Sequence, residues 1–287
     1  RSIAATAINK GVITAATDLD VNYSKPKYFF NGDVYKNRCY DGFGKADPSV
    51  ELRFGPNITD WPAMSALTDD IVLKVVSLIT DPVTTTDELI PSGETSSYRS
   101  NPLKLAEFAL SRKDPAYVGK AKEVQKAEKA RLEGKNPVKA LDELKNVDNA
   151  IKTVYPEFDI TKAGIGSTIY AVKPGDGSAR EQAASCQKVL GGWANIAKEY
   201  ATKRYRSNLI NWGMLPFIFE DVPPFENGDY IFVPEIKKAI EEKKSEIPAY
   251  IVKGESLVPF VLKMGDITDD ERQIILAGCL INYYAEK

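Results

Sequence analysis

A predicted strand, a glycine turn and a helix that directly follow one another constrain the fold of this 287-residue chain more than any other feature. The apolar run Ile165–Val172 predicts a buried strand, and Gly175-Asp176-Gly177 leads from it into a helical pattern. Free N–H groups at a helix start and the positive end of the helix dipole converge on such a turn. We therefore expect a site for a small anion here.

Two side chains, Ser178 and Arg180, belong to this expected anion site. A serine hydroxyl can take or return a proton, and a guanidinium can hold a carboxylate through two parallel hydrogen bonds. Together they indicate chemistry on a small organic acid. A plainer interpretation stays open, because Ser178-Ala179-Arg180-Glu181 also fits a capping box, in which the serine only caps its helix.

Composition excludes several functions. The chain has no histidine, which rules out a Ser-His-Asp triad, a histidine zinc site and histidine acid–base catalysis within it. Its formal net charge of −2 and the lack of a long apolar run predict no nucleic-acid or membrane partner. The sparse cysteines Cys39, Cys186 and Cys279 indicate free thiols in a reducing compartment, so we expect a cytoplasmic protein.

The chain divides into a weakly patterned first part and an α/β second part. Residues 1–18 predict a short helix or the end of one, and residues 19–65 predict a connector rich in Asp, Tyr, Asn, Gly and Pro. Structureless connectors of that length are unusual inside a compact domain. We therefore interpret residues 1–65 as the tail of another domain plus a linker, and residues 66–287 as the α/β domain.

The predicted α/β domain contains a helical insertion at about residues 101–155. Three of its predicted helices begin with a capping residue and a proline, at Asn101-Pro102, Asp114-Pro115 and Asn136-Pro137. The mixed charges of the middle helix, Glu128 among them, indicate a solvated face. A last helix is predicted from the capping box at Thr268 to about residue 284. Strands are predicted over 71–78, 165–172, 194–197, 214–219, 230–233, 248–253 and 257–263.

Motifs around the glycine turn resemble the C-terminal swivel domain of the aconitase family, which includes the small subunit of isopropylmalate dehydratase. The first motif is Gly-x-Gly-Ser-x-Arg-Glu-x-Ala-Ala over 175–184, followed by Leu190-Gly191-Gly192. The second is Ser-Asn-Leu-Ile-Asn-Trp-Gly-Met-Leu-Pro over 207–216. The third, Thr85-Thr86-Asp87, is similar to the family's Thr-Thr-Asp. The resemblance covers about residues 70–287.

This resemblance implies a fold and an activity. The implied fold is an α/β one, a swivelling β/β/α domain with a largely parallel central sheet, a smaller second sheet and the helical insertion. The implied activity is that of a hydro-lyase acting on a hydroxy di- or tricarboxylic acid. Ser178 would be the catalytic base, which removes a proton from a carbon next to a carboxylate.

The resemblance also implies roles for three other residues. Arg180 and Arg99, which lies twelve residues beyond Asp87, would bind substrate carboxylates. Asp87 would assist in proton handling or hold its partner groups in place. Plainer alternatives stay open for each: a surface arginine at Arg99, a turn or capping residue at Asp87, and an ion pair with a neighbouring carboxylate at Arg180.

Three positions depart from the family's pattern. Ala179 replaces the family's second serine, and Glu88 and Gln182 replace histidines. These changes favour a substrate other than citrate or isocitrate. They also keep open a second hypothesis, a non-catalytic carboxylate-binding or regulatory module with the same fold.

An iron–sulfur cluster is the cofactor that the resemblance implies for the complete enzyme. In this family three cysteines hold the cluster, and its open iron takes the substrate. The cysteines of this chain lack that spacing, so we expect no metal on the chain itself. A cluster-bearing partner domain, in the same polypeptide or on a separate chain, would supply it, and the swivel domain would close over that partner.

Overall fold

The computed structural model describes residues 1–19, 24, 26–39, 42–51 and 53–285. Two compact units are present, Arg1–Arg53 and Phe54–Lys287. The described part of the first unit contains the helices α1 (Ser2–Ile8) and α2 (Asp33–Arg38) and a 3₁₀ helix over Ala16–Asp18. The predicted first helix is therefore confirmed only in its first half.

Nine strands run through the described residues of the second unit. They are β1 (Ile71–Ile79), β2 (Thr84–Thr85), β3 (Gly164–Ala171), β4 (Pro174–Asp176), β5 (Gly192–Ala197), β6 (Leu215–Ile218), β7 (Tyr230–Val233), β8 (Glu246–Lys253) and β9 (Ser256–Met264). Seven of them close into a barrel in the order β1-β3-β5-β6-β9-β8-β7, and β2 and β4 form a separate two-stranded sheet. An α/β fold with a large and a small sheet is therefore confirmed.

The prediction of a largely parallel central sheet is wrong, because the closed sheet is mixed. The strands β1, β3, β5 and β6 pair in parallel, whereas β7, β8 and β9 pair antiparallel and close the sheet against β1 and β6. Burial explains the difference: β3 and β5 are buried along their whole length, as parallel strands covered on both faces are. Buried and exposed positions alternate in β8, which suits an antiparallel strand with one solvated face.

Successive residues of β1 serve two different cores. Ile71, Leu73 and Val75 pack inside the barrel, whereas Val72 and Val76 pack beneath the surrounding helices. This follows from the period of two along a strand, which sends neighbouring side chains to opposite faces. The parallel half of the barrel is thereby fixed from both sides, and its loops start from a rigid base.

The helices of the second unit lie outside the barrel. They are α3 (Thr86–Leu89), α4 (Pro102–Ala106), α5 (Tyr117–Leu132), α6 (Leu144–Val154), α7 (Arg180–Val189), α8 (Lys203–Asn211), α9 (Ile236–Glu241), α10 (Asp269–Ala277) and α11 (Leu280–Ala285). Short 3₁₀ helices cover Ser96–Tyr98 and Pro137–Lys139. Along the parts of the chain that the structure describes, no helix combines the length and apolarity that crossing a bilayer requires.

Helix starts and ends follow the sequence signals only in part. Asn101 caps α4 by accepting the N–H of Lys104, as predicted, but α5 begins at Tyr117, beyond the predicted Asp114-Pro115 start. The capping box at Thr268 is confirmed. The predicted last helix is broken at Gly278 (φ +91°), where an added Cβ would overlap the backbone of Ser65.

Candidate functional site

The small two-stranded sheet brings the segments that carry Asp87 and Ser178 side by side. Its strands run parallel, with Thr84 opposite Pro174 and Thr85 opposite Asp176. Asp87 and Ser178 each lie two residues beyond the second of these pairs, at the same end of the sheet. The helix that carries Asp87, α3, also contacts α7. Residues far apart in sequence thus meet at the start of α7.

Two glycines allow the loop between β4 and α7 to lie close to its neighbours. Gly175 and Gly177 have φ values of +94° and +135°, which side-chain-bearing residues rarely adopt. A Cβ at Gly175 would overlap the Tyr205 ring of α8, and one at Gly177 would overlap the side chain of Thr86. The loop, called the glycine loop below (residues 175–179), is therefore fixed between α3 and α8.

Tyr205 forms the buried floor of the glycine loop. Its hydroxyl accepts hydrogen bonds from Gln187 Nε2 at 3.0 Å and from Asn195 Nδ2 at 2.8 Å, which ties together α7, β5 and α8. Burial raises the pKa of the Tyr205 hydroxyl, so the phenol stays neutral at physiological pH. Its role is to support the loop.

Ser178 does not cap α7. The N-cap residue is Ala179, whose side chain has no acceptor, and the described residues form no hydrogen bond with the exposed Ser178 side chain. The capping-box interpretation is therefore wrong. The N–H groups of the first helical turn receive no side-chain cap, and they remain available to an external anion.

Arg180, the first residue of α7, has no carboxylate partner among the described residues. Its Nε is buried and makes no hydrogen bond. An orphaned donor of this kind has a desolvation cost that an incoming acceptor would remove. The alternative in which Arg180 pairs with a neighbouring carboxylate is not what the structure shows.

Asp87 forms an ion pair with Arg112, a residue that sequence analysis did not single out. Its Oδ2 meets Arg112 Nη1, and its Oδ1 accepts the N–H of Ser92 at 3.2 Å. Arg112 Nη2 also meets Glu94 Oε1 at 2.5 Å. Asp87 and Glu94 lie 25 and 18 residues before Arg112 in sequence, and no local sequence pattern predicts such ion pairs.

Glu88, which stands where the family has a histidine, has a structural role. It closes a capping box at the start of α3: its Oε2 accepts the N–H of Thr85 at 2.7 Å, and Thr85 Oγ1 accepts the N–H of Glu88. Lys113 lies 3.2 Å from its other oxygen. Thr85, not Asp87, is therefore the cap of α3.

Arg99 is exposed and makes no ion pair or hydrogen bond through its side chain within the described ranges. It lies between the 3₁₀ helix Ser96–Tyr98 and α4, and α4 packs against α7. The structure thus brings Asp87, Ser178 and Arg180 to the start of α7, and it places Arg99 on the connection to a neighbouring helix.

A shallow cavity of about 460 Å³ lies beside the carboxyl ends of the parallel strands. Thr80, Val172, Lys198 and Asp221 contribute to its lining, and none of the four predicted site residues does. Crevices at such strand ends are common ligand sites in α/β proteins. The predicted residues instead face outward, at a surface that this chain alone does not enclose.

The cysteines of this chain do not fit an iron–sulfur cluster. Cys39 is exposed in the first unit, and Cys186 and Cys279 are buried in the second. Burial raises the pKa of the Cys186 thiol, which disfavours the thiolate that a metal needs. The residues that the structure describes include no group of three or more Cys, Asp or Glu side chains that could hold a metal ion.

Comparison with known proteins relates one stretch of the chain to a family. Residues 116–222 match the model of the aconitase C-terminal domain, which confirms the predicted resemblance for a stretch that includes Ser178 and Arg180. Asp87 and Arg99 lie outside it. Among solved structures, 3-isopropylmalate dehydratase (leuD) from Methanocaldococcus jannaschii aligns with a TM-score of 0.44 and 23% identity, over 76% of this chain and 94% of that one. No curated protein matches this chain.

Proposed function

We propose that this chain supplies one part of a hydro-lyase active site for a hydroxy di- or tricarboxylic acid. The observation that carries the proposal is the unused chemistry at the start of α7. An exposed hydroxyl at Ser178, uncapped helix N–H groups and a guanidinium at Arg180 without a carboxylate partner converge there. All three suit a carboxylate whose neighbouring carbon loses a proton.

In the proposed reaction Arg180 and the first-turn N–H groups of α7 bind one substrate carboxylate. The Ser178 oxygen removes the proton from the adjacent carbon, the C–O bond on the next carbon breaks, and the leaving hydroxyl would be taken up by the cluster of the partner. Hydration is the same sequence in reverse, with Ser178 returning the proton. A serine hydroxyl is a weak base in water, so its oxyanion needs the same N–H dipoles and the guanidinium for stabilisation. Negative charge that builds up on the substrate carboxylate during proton loss is stabilised by the same groups.

Arg99 and Asp87 would have supporting roles. Arg99 would bind a second carboxylate, which its exposed and unpaired side chain permits. Asp87 would act as a positioning residue, because its carboxylate is occupied by Arg112 and by the N–H of Ser92. This reading assigns the proton transfer to Ser178 alone.

The iron–sulfur cluster of the complete enzyme would lie on a partner domain or chain. In this interpretation residues 1–65 are the tail of the cluster-bearing domain and its linker, and residues 66–287 are the swivel domain. The outward-facing Ser178 is consistent with a site that is completed only when a partner covers it.

A second candidate function is a carboxylate-binding or regulatory module without turnover. One observation favours it: the Asp87 carboxylate is held by Arg112, so it is not free to assist proton removal by Ser178. Both candidates need Arg180, and only the hydro-lyase needs the Ser178 hydroxyl.

The experiment is Ser178→Ala in the full protein together with its cluster-bearing partner, reconstituted anaerobically with iron and sulfide. Dehydration of a panel of hydroxy acids is measured, with exposed Ser256→Ala of β9 as the matched control. We expect Ser178→Ala to lower kcat about 10³-fold. Because Ser178 makes no structural hydrogen bond, the stability of Ser178→Ala should stay within about 0.5 kcal/mol of wild type.

Activity of Ser178→Ala near the wild-type rate would exclude Ser178 as the base. Carboxylate binding without turnover in the wild-type protein would favour the non-catalytic module.

A further inference from the structure

The other end of α7 borders a cavity that the proposed function does not use. The cavity has a volume of about 110 Å³ and lies between the end of α7, one face of α5 and residues 62–65. Its lining is mostly apolar, with Met64, Leu132, Val189 and Trp193 among the contributors. Cavities of roughly 150 Å³ can hold a benzene ring, so this one suits a molecule of a few heavy atoms.

A buried lysine, Lys188, lines this cavity. It is 7% exposed, and its side chain forms no hydrogen bond or ion pair within the described part of the chain. Its Nζ lies 4.9 Å from the centroid of the Trp193 ring, which offers a cation–π contact and no counter-charge. Burial lowers the pKa of Lys188 to about 8, so the amine is still largely protonated at neutral pH.

The carboxylate nearest to this lysine along the cavity wall is already occupied. Glu128 Oε1 and Oε2 accept from Arg131 Nη2 at 2.7 Å and Nε at 2.8 Å, and Oε2 also accepts the N–H of Ile165 at 2.9 Å. Lys129, at the cavity rim, is exposed and has no ion pair with a described residue. Positive charge therefore exceeds negative charge around the cavity.

We propose that this cavity binds a short-chain monocarboxylate, with its carboxylate on Lys188 Nζ and its alkyl end against Trp193 and Leu132. A buried cation without an ion pair is stabilised by an anion. The apolar side chains that line the cavity are stabilised by contact with the alkyl end of the ligand. Inorganic phosphate fits less well, because it needs several donors around it. The amide N–H₂ of Gln125 already donates to the carbonyl of Val189 at 2.7 Å. The volume limits the ligand to about two to four carbons.

This cavity is separate from the site at the start of α7. Lys188 follows Arg180 by eight residues, which corresponds to about 12 Å along a helix. Neither Arg180 nor Ser178 contributes to the cavity lining. The inference therefore stands whether or not the chain takes part in a hydro-lyase.

Calorimetric titration of the full chain with butyrate at pH 7 tests this inference. We expect saturable binding of butyrate, weaker binding of 1-butanol and of phosphate, and at least a tenfold loss of butyrate affinity in Lys188→Met. The matched control is Lys145→Met, which changes an exposed lysine of α6 and should bind butyrate as wild type does. NMR should show a raised Lys188 pKa in the butyrate complex, because the ligand adds a carboxylate to the weak influence of Cys279 and Glu128 on this amine.

Three outcomes would overturn the inference. If the wild-type protein shows no saturable butyrate binding, the proposed site is excluded, whatever the result for Lys188→Met. Equal affinity for butyrate and 1-butanol would show that the lysine does not recognise the charge. Phosphate binding as strong as butyrate binding would replace the proposed ligand class. The first measurement needs no variant, so the test does not depend on whether Lys188→Met folds.

Discussion

The two ends of α7 hold two unpaired cations in opposite surroundings. Arg180 opens toward solvent at the glycine loop, whereas Lys188 is enclosed beside Trp193. Water reaches part of the Arg180 guanidinium, although its Nε is buried without a hydrogen bond, so only part of this charge lacks hydration. The second charge has lost most of its hydration, and the lowered pKa of Lys188 reports that cost. The same helix therefore carries one cation that a ligand can reach from solvent and one that a ligand can reach only through a cavity.

The largest effect is expected from Gly175→Ala, which tests whether the exposed end depends on a rigid loop. The new Cβ would meet the Tyr205 ring at a φ of +94° and lower the free energy of unfolding by about 4 kcal/mol. Gly228→Ala is the control, because Gly228 has a φ of +100° and open space around it; about 1 kcal/mol is expected there. Denaturant unfolding measures both. Equal losses would mean that backbone strain, not loop packing, sets the cost.

The second-largest effect is expected from Arg180→Ala, which should lower the activity and leave the stability of the fold unchanged. Loss of the guanidinium is expected to lower kcat/KM for a hydroxy acid about 100-fold, or about 3 kcal/mol in transition-state stabilisation. Thermal unfolding should stay near wild type, because Arg180 forms no ion pair with a described residue. Arg38→Ala, at an exposed arginine of the first unit, serves as the control. An unchanged kcat/KM would show that Arg180 at the start of α7 takes no part in the reaction.

Lys188 should give the protein a distinctive pH dependence. Its folded pKa of about 8 lies below the ordinary 10.5, so between these values the unfolded chain binds more protons at this residue. The destabilisation is complete below pH 8 and is relieved as pH rises. From pH 8 to 9.5 stability should therefore increase by about 2 kcal/mol relative to Lys188→Met. Unfolding curves at several pH values measure this, and parallel curves for both proteins would contradict it.

Arg99→Lys is expected to give the smallest effect. Lysine keeps the charge but loses the planar fork, so KM for a dicarboxylate should rise about fivefold, or by about 1 kcal/mol. Steady-state kinetics of the complete enzyme measure the change, and kcat should stay close to wild type. A KM equal to that of wild type would leave Arg99 as a surface residue.

Local patterns predicted the strands of both halves of the barrel, but not the antiparallel pairing of β7, β8 and β9. The strand and the helix over 164–189 carry their signals in adjacent residues, and both are confirmed, whereas Gly175 and Asp176 of the predicted turn belong to the short strand β4. The closing pair of β7 with β1 joins Ile71 to Val233, and no local pattern specifies a partner so distant in sequence. Burial alternates along β8, but residues 247–252 are Ile-Pro-Ala-Tyr-Ile-Val without alternating polar residues, so the sequence did not indicate an antiparallel strand.

The site shows the same division between local and distant information. Ser178 and Arg180 follow from the loop itself, whereas the Asp87–Arg112 pair is made by tertiary packing. The mixed-charge helix predicted a solvated face, but Glu128 is 5% exposed and binds the N–H of Ile165 in β3. In sequence Glu128 looks like the exposed charged residues around it. Its burial is seen only from the packing of α5 on the barrel.

The break at Gly278 has a consequence for the far side of the molecule. Side chains are excluded where Gly278 meets Ser65 on one side and Gly213 on the other, so three backbones from different parts of the chain touch at one point. Beyond it, Asn282 Nδ2 donates to the carbonyl of Met64 at 2.9 Å. Gly278 and Asn282 therefore hold in place the stretch that lines the cavity of Lys188, and a deletion that removes these two residues would alter that cavity although neither residue lines it.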